Sequence, residues 1–252
     1  MKKAFTINEA PYSVRCLIYH NGGTTFRRVI IACHGFGGHK GNGASRRLAA
    51  YVLSRSKDAA VLCFDWPCHG EDARKKLMLG DCEAYLRMVT DYAGRALGAQ
   101  ELYLYATSFG GYLGLKYIAE HGSPFDRVAL RCPAVNMYAV LTENIMTEDN
   151  RALLDKGKDA LVGFDRKIRI TPDFLGELQS GDILGRDYLD SAESMLILHG
   201  TGDEIVPVDS VRAFAERNLI ELIEIENADH RFVDLNKMTE AIKATAHFFG
   251  FS

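Results

Sequence analysis

Three residues of this 252-residue chain are of the types that nucleophilic acyl transfer needs. Each stands in a short motif just after an apolar run: Ser108 in "ELYLYATSFGG", Asp203 in "SMLILHGTGDEIVP" and His230 in "IELIEIENADHRF". A serine hydroxyl is a poor nucleophile at neutral pH and needs a base to take its proton as it attacks. Histidine suits that task because its pKa lies near the working pH. An aspartate fixes the imidazole tautomer and stabilises the imidazolium once it forms. Ser108 lies in a variant of G-x-S-x-G, a sharp strand-to-helix turn that exposes a serine. Gly110 and Gly111 follow it, but Ala106 replaces the first glycine and adds one methyl group. Each residue also has an ordinary alternative. Ser108 would serve as a helix cap, Asp203 as a turn residue beside Glu204, and His230 is one of eight histidines.

The elements around these residues alternate. Strand candidates are "KAFTI", "SVRCLIYH", "RRVIIACH", "AAVLCFDW", "ELYLYAT", "RVALRCPA", "SMLILHG" and "IELIEIE". The first two alternate apolar and polar residues, which predicts a half-exposed antiparallel edge pair. The later runs are continuously apolar, as parallel strands covered on both faces are. Helices are predicted over "ASRRLAAYVLSR", "CEAYLRMVTDYAGRAL" and "FGGYLGLKYIAEHG", the last stopped at Gly122 with Pro124 beyond. A final helix is predicted to bury Phe232, Leu235, Met238, Ile242 and Phe249 on one face. The expected fold is therefore α/β: a mostly parallel eight-stranded sheet with helices on both faces. Ser108, Asp203 and His230 then fall at the C-terminal ends of three consecutive core strands, the edge where open parallel sheets bind ligands.

One interval breaks the alternation. Residues 136–190 hold no core strand, are rich in charge, and contain a helix start at Thr171 and Pro172 in "TPDFLGEL". The expectation is a core formed by residues 1–135 and 191–252, with 136–190 inserted as a cap or lid.

Composition excludes several classes. The formal net charge is -3, and no basic stripe with interleaved aromatics marks a nucleic-acid binder. "MKKAFTINEAPYSV" has no apolar segment behind its lysines, and no run is long enough to span a bilayer, so a cytoplasmic protein without a membrane partner is expected. Four of the six cysteines sit in or beside strand-like runs and read as small buried hydrophobes; Cys63 and Cys68 are the closest in sequence. His34, His39, His69 and His199 show no paired metal-ligand spacing, and "HGFGGHKGNG" lacks the ending of a phosphate loop. No metal and no cofactor is expected.

The sequence resembles the α/β-hydrolases, and among them the capped cinnamoyl/feruloyl-type esterases. The likeness runs over essentially the whole chain in "HGFGGHK", "DWPCHGED", "ATSFGG", "HGTGDEIVP" and "NADHRF", in that order. The family pattern G-x-x-D-x-x-V-P falls on Gly200, Asp203, Val206 and Pro207, which favours Asp203 over Glu204. The resemblance implies a catalytic triad of Ser108, Asp203 and His230. It also implies an oxyanion hole of the Phe36 and Phe109 backbone N–H groups, turned inward by Gly35, Gly37 and Gly38. It further implies a small-molecule ester substrate, with a hydroxycinnamate acyl group, and places Asn136 and Tyr138 near the cap entrance as candidate substrate contacts. The same triad would serve a thioesterase or small-peptide hydrolase. A non-catalytic binding protein on this scaffold is the third alternative, against which the complete set of three residues counts.

Overall fold

The computed structural model describes residues 1–251; residue 252, the end of the expected core segment, lies outside the described residues. The chain opens with β1 (Lys2–Glu9) and β2 (Tyr12–His20), an antiparallel pair in which β2 buries Val14, Cys16 and Ile18. There follow β3 (Arg28–Cys33), α1 (Gly43–Leu53), β4 (Ala59–Phe64), α2 (Leu79–Arg95), β5 (Glu101–Thr107), α3 (Phe109–His121) and β6 (Arg127–Arg131). The inserted interval carries α4 (Met137–Ala139), a π-helical turn (Val140–Ile145), α5 (Glu148–Asp155), β7 (Ala160–Val162), β8 (Ile168–Ile170), α6 (Pro172–Ser180) and a 3-10 turn (Leu189–Ser194). The chain closes with β9 (Met195–Gly200), α7 (Val208–Asn218), β10 (Glu221–Ile225) and α8 (Leu235–Phe248).

The main sheet runs β1-β2-β4-β3-β5-β6-β9-β10, parallel from β4 to β10. All eight predicted strands are present. Every residue of β4 and all but the first of β3 are buried, as their unbroken apolar runs require when helices cover both faces. On one face Leu48 and Val52 of α1 meet Met238 and Ile242 of α8. On the other, α2, α3 and α7 contribute Leu86, Val89, Leu115 and Phe214. Asn42 caps α1 by accepting from the Ser45 amide, and Thr171 caps α6 ahead of Pro172. At Gly122, φ of 79° ends α3.

Three details differ from the sequence expectation. Leu235 is 56% exposed, because it stands in the first turn of α8, about 60° off the centre of the stripe formed by Met238, Ala241 and Ile242. Phe232 precedes that helix and Phe249 caps it, so both are buried from outside its regular turns. The site strands are not consecutive: β6 lies between β5 and β9 in the sheet. The inserted interval adds no strand to the main sheet. Its hairpin β7–β8 is separate, while Leu141, Val162, Phe174 and Leu178 join the same apolar cluster as α2 and α3.

Candidate active site

β5 ends at Thr107 and α3 begins at Phe109, leaving Ser108 alone to turn the chain, at φ 53° and ψ −117°. An L-residue held there carries strain of about 1–3 kcal/mol, tolerated only where its surroundings over-determine the backbone. They do so here. The Ser108 N–H donates to the Arg131 carbonyl at 3.0 Å, and the Ser108 carbonyl accepts from the Tyr112 and Ala134 amides at 3.0 and 3.2 Å. The neighbouring glycines permit this closeness. A Cβ on Gly110 would lie 2.6 Å from the His34 carbonyl oxygen, one on Gly111 2.9 Å from Pro133 Cβ, and one on Gly35 3.1 Å from Ser108 Cβ. The position of Ala106 is less demanding. Its fully buried methyl faces Gly114, where even an added Cβ would stand 4.0 Å away, an ordinary contact.

Two loops bring the other side chains to that turn. Gly200, at the end of β9, passes so close to Ala228 that a Cβ would fall 2.1 Å from its carbonyl oxygen. The Gly202 amide donates to the same carbonyl, and the Asn227 amide to Thr201 Oγ1. So laced, the loops set Asp203 Oδ2 2.7 Å from His230 Nδ1, and His230 Nε2 3.0 Å from Ser108 Oγ. Asp203 Oδ1 accepts from the Ile205 and Val206 amides at 2.9 and 2.8 Å, and His199 Nε2 stands 3.3 Å from Oδ2. Burial alone would push this carboxyl up. The hydrogen bond and charge of His230, the Val206 amide and His199 outweigh it and hold Asp203 below the usual carboxylate range. A carboxylate only accepts, so Nδ1 of His230 carries the proton and Nε2 turns its lone pair to the serine hydroxyl. This arrangement can draw the Ser108 proton away as its oxygen attacks a carbonyl carbon.

The loop after β3 borders the same turn. Neither the Phe36 nor the Phe109 amide donates to a protein acceptor among the described residues, so both are free to hold an oxygen that gains charge. Gly37 takes φ 73°, and a Cβ on Gly38 would lie 2.9 Å from the Gly35 carbonyl oxygen, so the loop is closed by residues without side chains. Asp65, fully buried, anchors it by accepting from the Lys40 amide and ammonium, both at 2.7 Å. Gly70 wraps that carboxylate at φ 53°, and a Cβ there would lie 2.1 Å from Asp65 Oδ1. The rings of Phe36 and Phe109 meet edge-on at 5.9 Å, with His69 packed on both. Burial pushes His69 down to about 4, against the pull of the Pro67 carbonyl that accepts from Nδ1, and its Nε2 has no partner among the described residues. Burial likewise holds His34 and His199 well below and below the ordinary imidazole value.

The hairpin of the inserted interval reaches both rims of the site. Arg166 donates to the Gly70 and Cys68 carbonyls, and Asp165 pairs with Arg231, the neighbour of His230, at 3.4 Å. Asn136 and Tyr138 line a cleft of about 300 Å³ between α3 and the interval, with Tyr112, Gln179 and Asp182. The Asn136 side-chain oxygen Oδ1 is engaged there, accepting from the Ala139 amide to cap α4. For metals, Cys132, Asp203 and His230 place ligand atoms within 4.8 Å of one another, as do Glu83, Glu120 and His121 at the surface. Asp203 in the first set is already engaged by His230 and two amides, with the Arg131 guanidinium donating to the His230 carbonyl. All six cysteines are free and buried; burial pushes Cys63 and Cys68 up to about 12. Sequence reasoning missed Arg131 and the hairpin contacts. Nothing near "RVALRC" signals where that arginine leads, although His199 does stand four residues before Asp203.

A family model described as alpha/beta hydrolase fold matches residues 28–173, more than half of the chain, including the turn at Ser108. The chain belongs to the α/β-hydrolase fold family. Curated relatives in Xenopus laevis are two monoacylglycerol lipases. One, abhd6-A, is 26% identical over 151 residues, 60% of this chain and 41% of that protein. The other, abhd6-B, is 23% identical over 211 residues, 83% of this chain and 57% of that protein. The chain thus spans less than two thirds of either. Among solved structures, Est1E from Butyrivibrio proteoclasticus with bound ferulic acid matches with a TM-score of 0.74 at 18% identity, over 98% of both chains. In this α/β-hydrolase no helix among the described residues is long and apolar enough to cross a membrane.

Proposed function

We propose that this α/β-hydrolase cleaves carboxylic esters through an acyl-enzyme. Ser108 attacks the carbonyl carbon and His230 takes its proton. Asp203 fixes the imidazole, and the Phe36 and Phe109 amides hold the oxyanion. Collapse of the tetrahedral intermediate breaks the bond to the alcohol, which leaves with the proton from His230; water then repeats the cycle on the acyl-enzyme. The observation that carries this reading is the continuous link from Asp203 Oδ2 to His230 at 2.7 Å and from His230 to Ser108 Oγ at 3.0 Å.

For the acyl group we propose a hydroxycinnamate type, with residues 136–190 as the cap over the pocket. The likeness of fold to ferulic acid-bound Est1E and the partly exposed Phe36 ring beside the elbow support it. The two monoacylglycerol lipase relatives favour a second reading, an acylglycerol ester. Wild type and Ser108→Ala are compared on methyl ferulate, a monoacylglycerol and a short-chain p-nitrophenyl ester. We expect the wild type to hydrolyse methyl ferulate and the p-nitrophenyl ester, and the variant neither. A preference for the monoacylglycerol over methyl ferulate selects the second reading. Wild-type turnover that persists in Ser108→Ala overturns the mechanism.

A further inference from the structure

Arg131, the last residue of β6, is 5% exposed, yet no carboxylate approaches within 4.0 Å of it among the described residues. A guanidinium cannot shed its charge by deprotonation, and placing it in the interior without a counter-ion is costly. Its contacts show what that location achieves. Its carbonyl accepts the Ser108 N–H at 3.0 Å. Its Nη1 donates to the His230 carbonyl at 3.0 Å and its Nε to Tyr105 Oη at 3.2 Å, while its guanidinium lies over the Phe232 ring at 5.0 Å. One residue thus grips the chain at the nucleophile on one side and on both sides of Arg231 on the other.

We propose that Arg131 is a positioning residue of the hydrolytic reaction: it fixes the backbone of His230 against the Ser108 turn and supplies a positive charge that favours an ionised Asp203. This inference rests on the serine-hydrolase reading above. The Arg131–His230 carbonyl bond ties the loop after β10 to β6, so the backbone that carries the imidazole cannot shift without moving the buried arginine. The charge opposes a proton on Asp203, whose carboxylate in turn favours the charged guanidinium. The other groups facing the Asp203–His230 pair are His199 of β9, the Cys132 thiol after β6 and Ser108 itself, while Tyr105 of β5 meets Arg131. Arg231, with Asp165 of the hairpin tip, and Asp229 lie outside it. Arg131 is the cation among them that is buried.

The experiment measures pH–rate profiles for wild type, Arg131→Gln and Arg131→Lys on the p-nitrophenyl ester, with thermal midpoints and fluorophosphonate labelling in parallel. In Arg131→Gln we expect kcat to fall about tenfold or more, with KM within about twofold. The acid limb should move up by about half a unit or more, since removing a cation eases protonation of Asp203. Arg131→Lys keeps the charge without the fork, so its acid limb should stay within about 0.2 unit of wild type while kcat falls. A folded Arg131→Gln with the wild-type acid limb and kcat overturns the proposal. Equal shifts of the limb in both variants overturn it too, because the lost charge is then not the cause. Should the glutamine variant not fold, Arg131→Lys decides: a lower kcat at unchanged KM supports the tether, and a wild-type kcat overturns it. Failure of wild type to label with fluorophosphonate removes the serine-hydrolase reading itself, whereas labelled wild type with unaffected Arg131 variants removes this inference alone.

Discussion

Two histidines lie against the turn between β5 and α3, one at each residue. His230 reaches Ser108 Oγ, and His69 packs on the ring of Phe109. Each gives its Nδ1 proton to an oxygen and leaves Nε2 as a lone pair. They differ in what that oxygen is and in how much water is near. His230 has a carboxylate behind it and a side chain 14% exposed; His69 has the Pro67 carbonyl behind it and is fully buried. A carboxylate stabilises the imidazolium that proton transfer creates, whereas a lone carbonyl in an apolar shell does so too weakly to offset desolvation. The low value of about 4 at His69 is the consequence. Residue type and tautomer are therefore shared, and burial together with the charge behind the ring makes the difference.

The comparison breaks most visibly at the rings themselves. His230→Gln should lower kcat/KM on a p-nitrophenyl ester on the order of 10⁴-fold or more, and His69→Gln should stay within about threefold; comparable losses in both would end the distinction. Next in size, Asp203→Asn leaves the shape but takes away the charge, so kcat should fall by about 10³–10⁴-fold at pH 7. A smaller loss would mean that the carboxylate matters chiefly as a hydrogen-bond acceptor. His69 shows its burial in stability. Its ring protonates near pH 6.5 when unfolded but only near 4 when folded, so between these values the unfolded chain binds more protons. Unfolding free energy should fall by about 3 kcal/mol from that one group as pH drops from 6.5 to 4, with no contribution above that range. Urea titrations should show a shallower pH slope in His69→Gln. The smallest effect belongs to Ala106→Gly, which leaves kcat/KM within about twofold and costs roughly 1 kcal/mol of stability through the lost buried methyl and the freer unfolded backbone.

The eight strands were legible because each is a short apolar run closed by a turn, and because burial on both faces of the centre strands suppresses alternation. Ser108, Asp203 and His230 were legible for the same reason, since each follows such a run directly. Leu235 was misplaced because a helical stripe predicts a face without saying which turn of the helix reaches the core. The strand between those of Ser108 and Asp203 was itself legible as "RVALRCPA"; the contacts of Arg131 were closed to sequence reading, because they depend on segments meeting across 99 positions, as between Arg131 and His230. The hairpin β7–β8 escaped notice because three-residue strands are too short to show a period.

The backbone at Ser108 has a consequence for how such a chain ages under mutation. At φ 53° and ψ −117° glycine is the residue that folds with least strain. Replacing the serine would relieve the elbow and remove the hydroxyl in one step. Selection for folding alone would pull this position toward glycine, so a thermostability screen run without an activity assay would enrich the form that the proposed mechanism makes inert.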